Sequence, residues 1–159
     1  MKFRHESTYH APIDQVFAML GDPDFRAKVC DYQGDLRYDV AIDAADDTMS
    51  VDVDRVQSAQ GLPPVASKFV GDEIEIEVRE EWSSPAAATM EVTIPGKPGQ
   101  VRGTIAMREN AGVTIQNFTA EIKVSLPFIG GKLEEMIAAL LTAALRAENK
   151  VGAAWLAGE

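Results

Sequence analysis

The order of two periodicities along this chain constrains its fold more than any single motif. From residue 35 to residue 126 apolar side chains recur at every second position, in segments broken by turn residues at hairpin spacing, the pattern of an antiparallel meander. Apolar residues then recur at helical spacing for about 27 residues, roughly 40 Å of helix at the standard rise. Leu133, Met136, Ile137, Leu140, Leu141, Ala144, Leu145, Val151 and Trp155 form its apolar stripe. A stripe that long must lie along an equally long apolar surface, and the meander is the part of the chain able to supply one.

The strands can be read individually. Leu36, Tyr38, Val40 and Ile42 share one face of the first meander strand, and Met49, Val51 and Val53 share that of the second. Within "DEIEIEVREEW", Ile74, Ile76, Val78 and Trp82 oppose Glu73, Glu75, Glu77, Arg79 and Glu81, so the outer face is strongly acidic. Met90, Val92 and Ile94 are followed by the turn "PGKPG" and by Val101, Ile105 and Met107. In the last strand the apolar phase passes from Val113 and Ile115 to Phe118, Ala120, Ile122, Val124 and Leu126, which predicts a bulge near Gln116 and Asn117. Ahead of the meander, residues 2 to 9 alternate as a further strand, giving about seven in all. Ile13, Val16, Phe17 and Leu20 then predict a short helix behind Pro12. A second helix is predicted with Asp22 as N-cap and Pro23 at its first position, burying Phe25 and Val29. Residues 58 to 68, with Gly61, Pro63 and Pro64, read as a loop.

A chain of 159 residues is expected to form one domain, residues 1–159. Its formal charge of -10 opposes binding to phosphate backbones, so no nucleic-acid partner is expected. No apolar run approaches the ~20 residues of a membrane span, and "MKFRHESTYH" lacks the apolar stretch of a secretory signal, so a cytoplasmic location is expected. The single Cys30 has no second cysteine or nearby histidine, which leaves it a small buried residue. His5 and His10 point to opposite faces of a strand. No metal and no cofactor is expected. "FIGGK" lacks phosphate-loop spacing, and "NFT" at 117 to 119 lies within a strand.

"YHAPIDQVFAMLGDPDF" (residues 9 to 25) and "SLPFIGGKLEEMIAALL" (residues 125 to 141) resemble the opening and the final junction of the START-like, or SRPBCC, superfamily. That superfamily includes the birch pollen allergen group, lipid-transfer START domains and polyketide cyclases. With "KFVGDEIEIEVREEW" (residues 68 to 82) as context, the chain looks most like a START-like family defined only as a domain of unknown function. The resemblance covers the whole chain and implies an α+β helix-grip fold. In it a curved antiparallel sheet of about seven strands wraps a long C-terminal helix, with two short helices after strand 1. It also implies a hollow between sheet and helix that takes a hydrophobic ligand. A dry void of roughly 500 Å³ would cost about 12 kcal/mol, comparable to a domain's whole stability, so a large hollow is filled by ligand or water or does not exist. Met49, Met90, Met107, Met136 and Trp82 are also large enough to fill it in.

The residues expected to line the hollow are His5, Tyr38, Val53, Arg55, Ile76, Val78, Glu80, Trp82, Met90, Val92, Ile105, Met107, Phe118, Met136, Ile137 and Leu140. His5 shares a face with Phe3 and Tyr9, and is either a proton-transfer group or a hydrogen-bonded wall residue. Arg55 and Glu80 share phase with apolar neighbours; inside they would pair with each other or with a ligand's polar head, whereas at frayed strand ends they would be solvated. Tyr38 either offers its hydroxyl to the cavity or packs under the helix. The expected function is binding, transport or sensing of a lipid, fatty acid, isoprenoid or polyketide without turnover, the ligand class being that implied by the resemblance. Access is expected past residues 61 to 66, residues 95 to 99 and the start of the last helix. One alternative is an enzyme like the polyketide aromatase/cyclases, using His5, Tyr38, Arg55 and Glu80. The other is a protein-interaction module with a filled core and the acidic face of Glu73, Glu75 and Glu77.

Overall fold

A computed structural model describes all 159 residues. Strand β1 (Lys2–Tyr9) leads into helices α1 (Ile13–Leu20) and α2 (Pro23–Tyr32). Strands β2 (Arg37–Ala44) and β3 (Met49–Ser58), helix α3 (Pro64–Val70) and strand β4 (Glu73–Ser84) follow. Strands β5 (Ala87–Thr93), β6 (Gly99–Asn110) and β7 (Val113–Val124) precede helix α4 (Gly130–Leu156). All seven strands make one antiparallel sheet in the order β1-β7-β6-β5-β4-β3-β2. Its curved inner face is gripped against α4, which packs on β1, β7 and α2. This is the helix-grip arrangement.

Local chemistry accounts for the corner that α1 and α2 form. Pro12 caps α1 without a side-chain bond of its own, and the Glu109 carboxylate accepts from the Ile13 N–H at 2.7 Å instead. Asp22 caps α2, accepting from the Asp24 N–H at 2.9 Å, with Pro23 at the first helical position. Two glycines mark close approaches. A Cβ on Gly103 would collide with the Thr119 carbonyl oxygen and with Ala120 on β7, and one on Gly152 of α4 would come 2.7 Å from the Tyr9 ring. Between sheet and helices lies a core of 31 buried apolar residues.

Three expectations need correction. Strand β7 has no bulge: its register against β1 and β6 runs unbroken, and Thr114 and Gln116 are buried on the inner face. The apolar phase never slips, because those two inward positions are polar, and the Thr114 hydroxyl is satisfied by the Ala11 carbonyl at 2.7 Å. The sheet's irregularity lies in β4, between Trp82 and Ser84. The stretch read as a loop carries the short helix α3, started at Pro64 and stopped by Gly71 at φ +80°. Leu36 lies outside β2 and is half exposed at the sheet's edge, its backbone N–H bound to the Val56 carbonyl.

Candidate functional site

Two helices and five strands enclose a cavity of about 90 Å³ under the sheet. The helical walls come from residues at i, i+3, i+4 and i+7, one face of a helix. They are Arg26, Val29 and Cys30 on α2 with Gln33 at its C-cap, and Leu141, Ala144, Leu145 and Glu148 on α4. The strands contribute Val53 and Arg55 (β3), Val78 and Glu80 (β4), Met90 and Val92 (β5), Ile105 (β6), and Gln116 and Phe118 (β7). Most of the lining is apolar, and the charged residues enter from four elements. The part-exposed helical members are Gln33, Leu141, Ala144 and Glu148, so the cavity approaches solvent between α2 and the middle of α4.

The charged wall is highly ordered. Arg26 makes a bidentate pair with Glu80, Nη1 to Oε2 and Nη2 to Oε1 both at 3.0 Å, and its Nε donates to the Leu20 carbonyl at 2.7 Å. The Trp82 indole N–H donates to Glu80 Oε1 at 2.8 Å. Arg26 and Glu80 are 6% and 7% exposed, so each requires the other. Burial alone would raise the Glu80 carboxyl, but the charge of Arg26 and its hydrogen bonds hold it below the ordinary value. Arg55 is clamped by Asp35, Nη2 to Oδ1 at 2.8 Å and Nε to Oδ2 at 3.0 Å. Arg55 and Glu80 thus both face the interior, each neutralised by a partner of its own rather than by the other.

Glu148 differs from both. It accepts a long 3.4 Å hydrogen bond from the Tyr9 hydroxyl and forms no direct ion pair. Burial pushes its carboxyl up to about 7, with Arg26 opposing and Glu80 adding to the rise. Tyr9 is itself raised well above the ordinary phenol range, first by burial. The Cys30 thiol is pushed up to about 12 by burial and by Asp35, which leaves it an unreactive wall residue. No three His, Cys, Asp or Glu side chains converge where a metal ion could sit.

Of the residues expected to line the hollow, Val53, Arg55, Val78, Glu80, Met90, Val92, Ile105 and Phe118 lie on this cavity. The others lie elsewhere. His5 borders an outer groove with Arg146 and Asn149, and burial together with Arg146 lowers its pKa. The Tyr38 hydroxyl donates to Asp31 at 2.8 Å, and Tyr38 and Ile76 border a shallow groove at one end of β2–β4. Trp82 packs edge-on against Phe17, 5.8 Å between centroids, and reaches the site only through Glu80. Met107, Met136 and Ile137 are spent on the solid core, and Leu140 is half-buried against it. Residues 61 to 66 and 95 to 99 and the start of α4 contribute nothing to the cavity's lining; Pro64, Val65, Lys68, Phe69 and Ile129 form a separate surface depression.

Arg26, Gln33, Gln116 and Glu148 were not anticipated. Each continues an apolar periodic stripe with a polar residue: Glu148 stands three after Leu145 and seven after Leu141, and Arg26 stands three before Val29. A stripe scored on apolar residues alone passes over them.

A family model matches residues 4–156 of the chain. The chain belongs to that family, described as protein of unknown function (DUF2505). No curated protein matches it. Among solved structures, TTHA0849 from Thermus thermophilus superposes with a TM-score of 0.66 at 16% identity, over 97% of this chain and 98% of that one. A START superfamily protein from Mycobacterium smegmatis gives a TM-score of 0.56 at 9% identity over 94% of each chain. The di-domain ARO/CYC StfQ from the steffimycin biosynthetic pathway gives 0.61 at 14% identity, over 96% of this chain and 50% of that one. At such identities the likeness is one of fold alone: this DUF2505 chain has the helix-grip fold that these structures share.

Proposed function

We propose that this protein binds an amphipathic small molecule in the cavity between the sheet and α4, without chemical turnover. The observation that carries this reading is the cavity's lining: apolar side chains from five strands and both helices, with Arg26, Glu80 and Glu148 grouped at one end and the Arg55–Asp35 pair beyond Val53 and Val78. That division matches a ligand with an apolar body and one polar end. The likeness to a START superfamily protein and to an ARO/CYC protein supports it. The lipid, isoprenoid and polyketide classes all have such bodies. The cavity's 90 Å³ is below the ~300 Å³ at which ordinary ligand pockets begin, so a full-length chain requires α2 and α4 to part.

The neutral dye N-phenyl-1-naphthylamine tests the reading. Its fluorescence should rise saturably with one site per chain, and Ala144→Phe, which fills the cavity from α4, should abolish the rise while the fold persists by circular dichroism. Absence of saturable binding to the folded parent would overturn it.

The aromatase/cyclase reading has one observation in its favour, the Glu148 carboxyl at about 7 beside the Tyr9 hydroxyl, a placement suited to proton transfer. His5 and Tyr38, which that reading was expected to use, lie outside the cavity.

A further inference from the structure

The cavity's charges are not balanced, and the imbalance bears on which polar end a ligand can bring. All three guanidinium nitrogens of Arg26 are engaged, by Glu80 and by the Leu20 carbonyl. Arg55 is engaged through Nε and Nη2 by Asp35. No buried side-chain nitrogen or oxygen is left without a partner. Two arginines are therefore matched by two carboxylates, and Glu148 is the carboxyl left over, held by the long bond from Tyr9 and facing the cavity.

We propose that Glu148 reads the ligand's polar end, and that this end is a protonated amine on an apolar body. The inference rests on the small-molecule reading above and narrows it. A carboxylate or phosphate head beside Glu148 would find all three nitrogens of Arg26 engaged and would meet Glu148 as a like charge, while Arg55, open only at Nη1, stands four β3 positions away from the residue paired with Glu80. To bind Arg26 there, it would have to break the buried pair and leave Glu80 without its counter-charge. A hydroxyl head could donate to Glu148 but would leave its charge uncompensated. An ammonium both donates a charge-assisted hydrogen bond and cancels the extra charge. The Gln116 side chain, on the same wall, can take a second N–H. The apolar body then lies against Leu141, Leu145, Val92 and Phe118.

The same wall makes binding depend on pH. The groups facing Glu148 are Arg26 from α2, Glu80 from β4, Tyr9 from β1 and Gln116 from β7. Arg26 is raised, Glu80 is lowered and Tyr9 is raised well above its ordinary range, so none of them changes charge near neutrality. Glu148 alone titrates there.

The test compares hexylammonium, 1-hexanol and hexanoate, matched in length and too short to form micelles. Binding is followed by the Trp82 indole N–H resonance, which reports on Glu80 at the charged wall. Hexylammonium should bind tightest, with an affinity that grows about tenfold from about pH 6 to about pH 8 as Glu148 ionises. Glu148→Gln should remove both the growth and the preference over hexanol, while its amide spectrum stays folded and hexanol still shifts Trp82. Hexanoate binding as tightly as hexylammonium, or a preference that survives Glu148→Gln, overturns the head-group assignment and leaves the small-molecule reading standing. Absence of a saturable shift with all three also overturns the assignment, and the N-phenyl-1-naphthylamine titration then shows whether the broader reading falls with it.

Discussion

Arg26 and Glu80 show how a charged pair can be both a structural rivet and part of a cavity wall. The pair joins α2 to β4 across 54 residues of sequence and is almost wholly buried. Arg26→Met should cost about 3–5 kcal/mol in denaturant unfolding, because Glu80 is left charged and buried. The double variant Arg26→Met with Glu80→Leu should recover much of that loss, since no charge then remains to be desolvated. Glu148 has the opposite linkage. Its carboxyl stands at about 7 folded against 4.5 as the reference, so between those values the folded state holds the proton more tightly than the unfolded one. Stability therefore falls as pH rises from about 4.5 to about 7, by at most about 3 kcal/mol. Glu148→Gln should remove that decline, making the variant more stable than the parent at pH 8 and equal to it near pH 4; identical pH profiles by thermal unfolding would refute this. Both arginine pairs involve inward residues whose phase was readable. Their partners were not readable, because nothing local to Glu80 names Arg26 rather than Arg55 as its counter-charge.

Among the elements, α4 carries the most consequence. It is long because it must run across β1 and β7 and meet α2, and it packs closely on β1 and α1 at Gly152, where the Tyr9 ring and the Met19 side chain occupy the space of a Cβ. Gly152→Ala would gain about 1 kcal/mol in an isolated helix. Here it should instead lower the melting temperature, because α4 would have to lift from Tyr9, and that shift would disturb the Tyr9–Glu148 contact as well. An increase in melting temperature would show that the helix has slack at this point. The strand periodicities were legible because alternation follows directly from the pleat. Strand β7 misled through Thr114 and Gln116: polar residues on an inner face look like a change of phase until their partners are known. Helix α3 was hidden for a simpler reason, since seven residues between two prolines and a glycine give little periodicity to read.

For the molecule as a whole, the sheet, α2 and α4 wrap the cavity, which approaches solvent between the two helices. A dry cavity of about 90 Å³ would cost about 2 kcal/mol, and polar side chains on one wall allow water to reduce that further. Occupation by a ligand should therefore slow amide exchange most in Val29–Gln33 of α2 and in Leu141–Glu148 of α4. Equal protection spread over the sheet would place access elsewhere. No helix is long and apolar enough to cross a membrane. By itself the sequence determined the number and order of the strands, the long terminal helix and, except at the start of β7, the faces that turn inward, because periodicity and capping are set by neighbours a few residues away. The cavity's position, its pairing of Arg26 with Glu80 and Arg55 with Asp35, and the unpaired state of Glu148 were decided only by tertiary structure. Tyr9 and Glu148 meet across 139 residues, and which charges face one another at that range depends on how α2 and α4 are laid over the sheet.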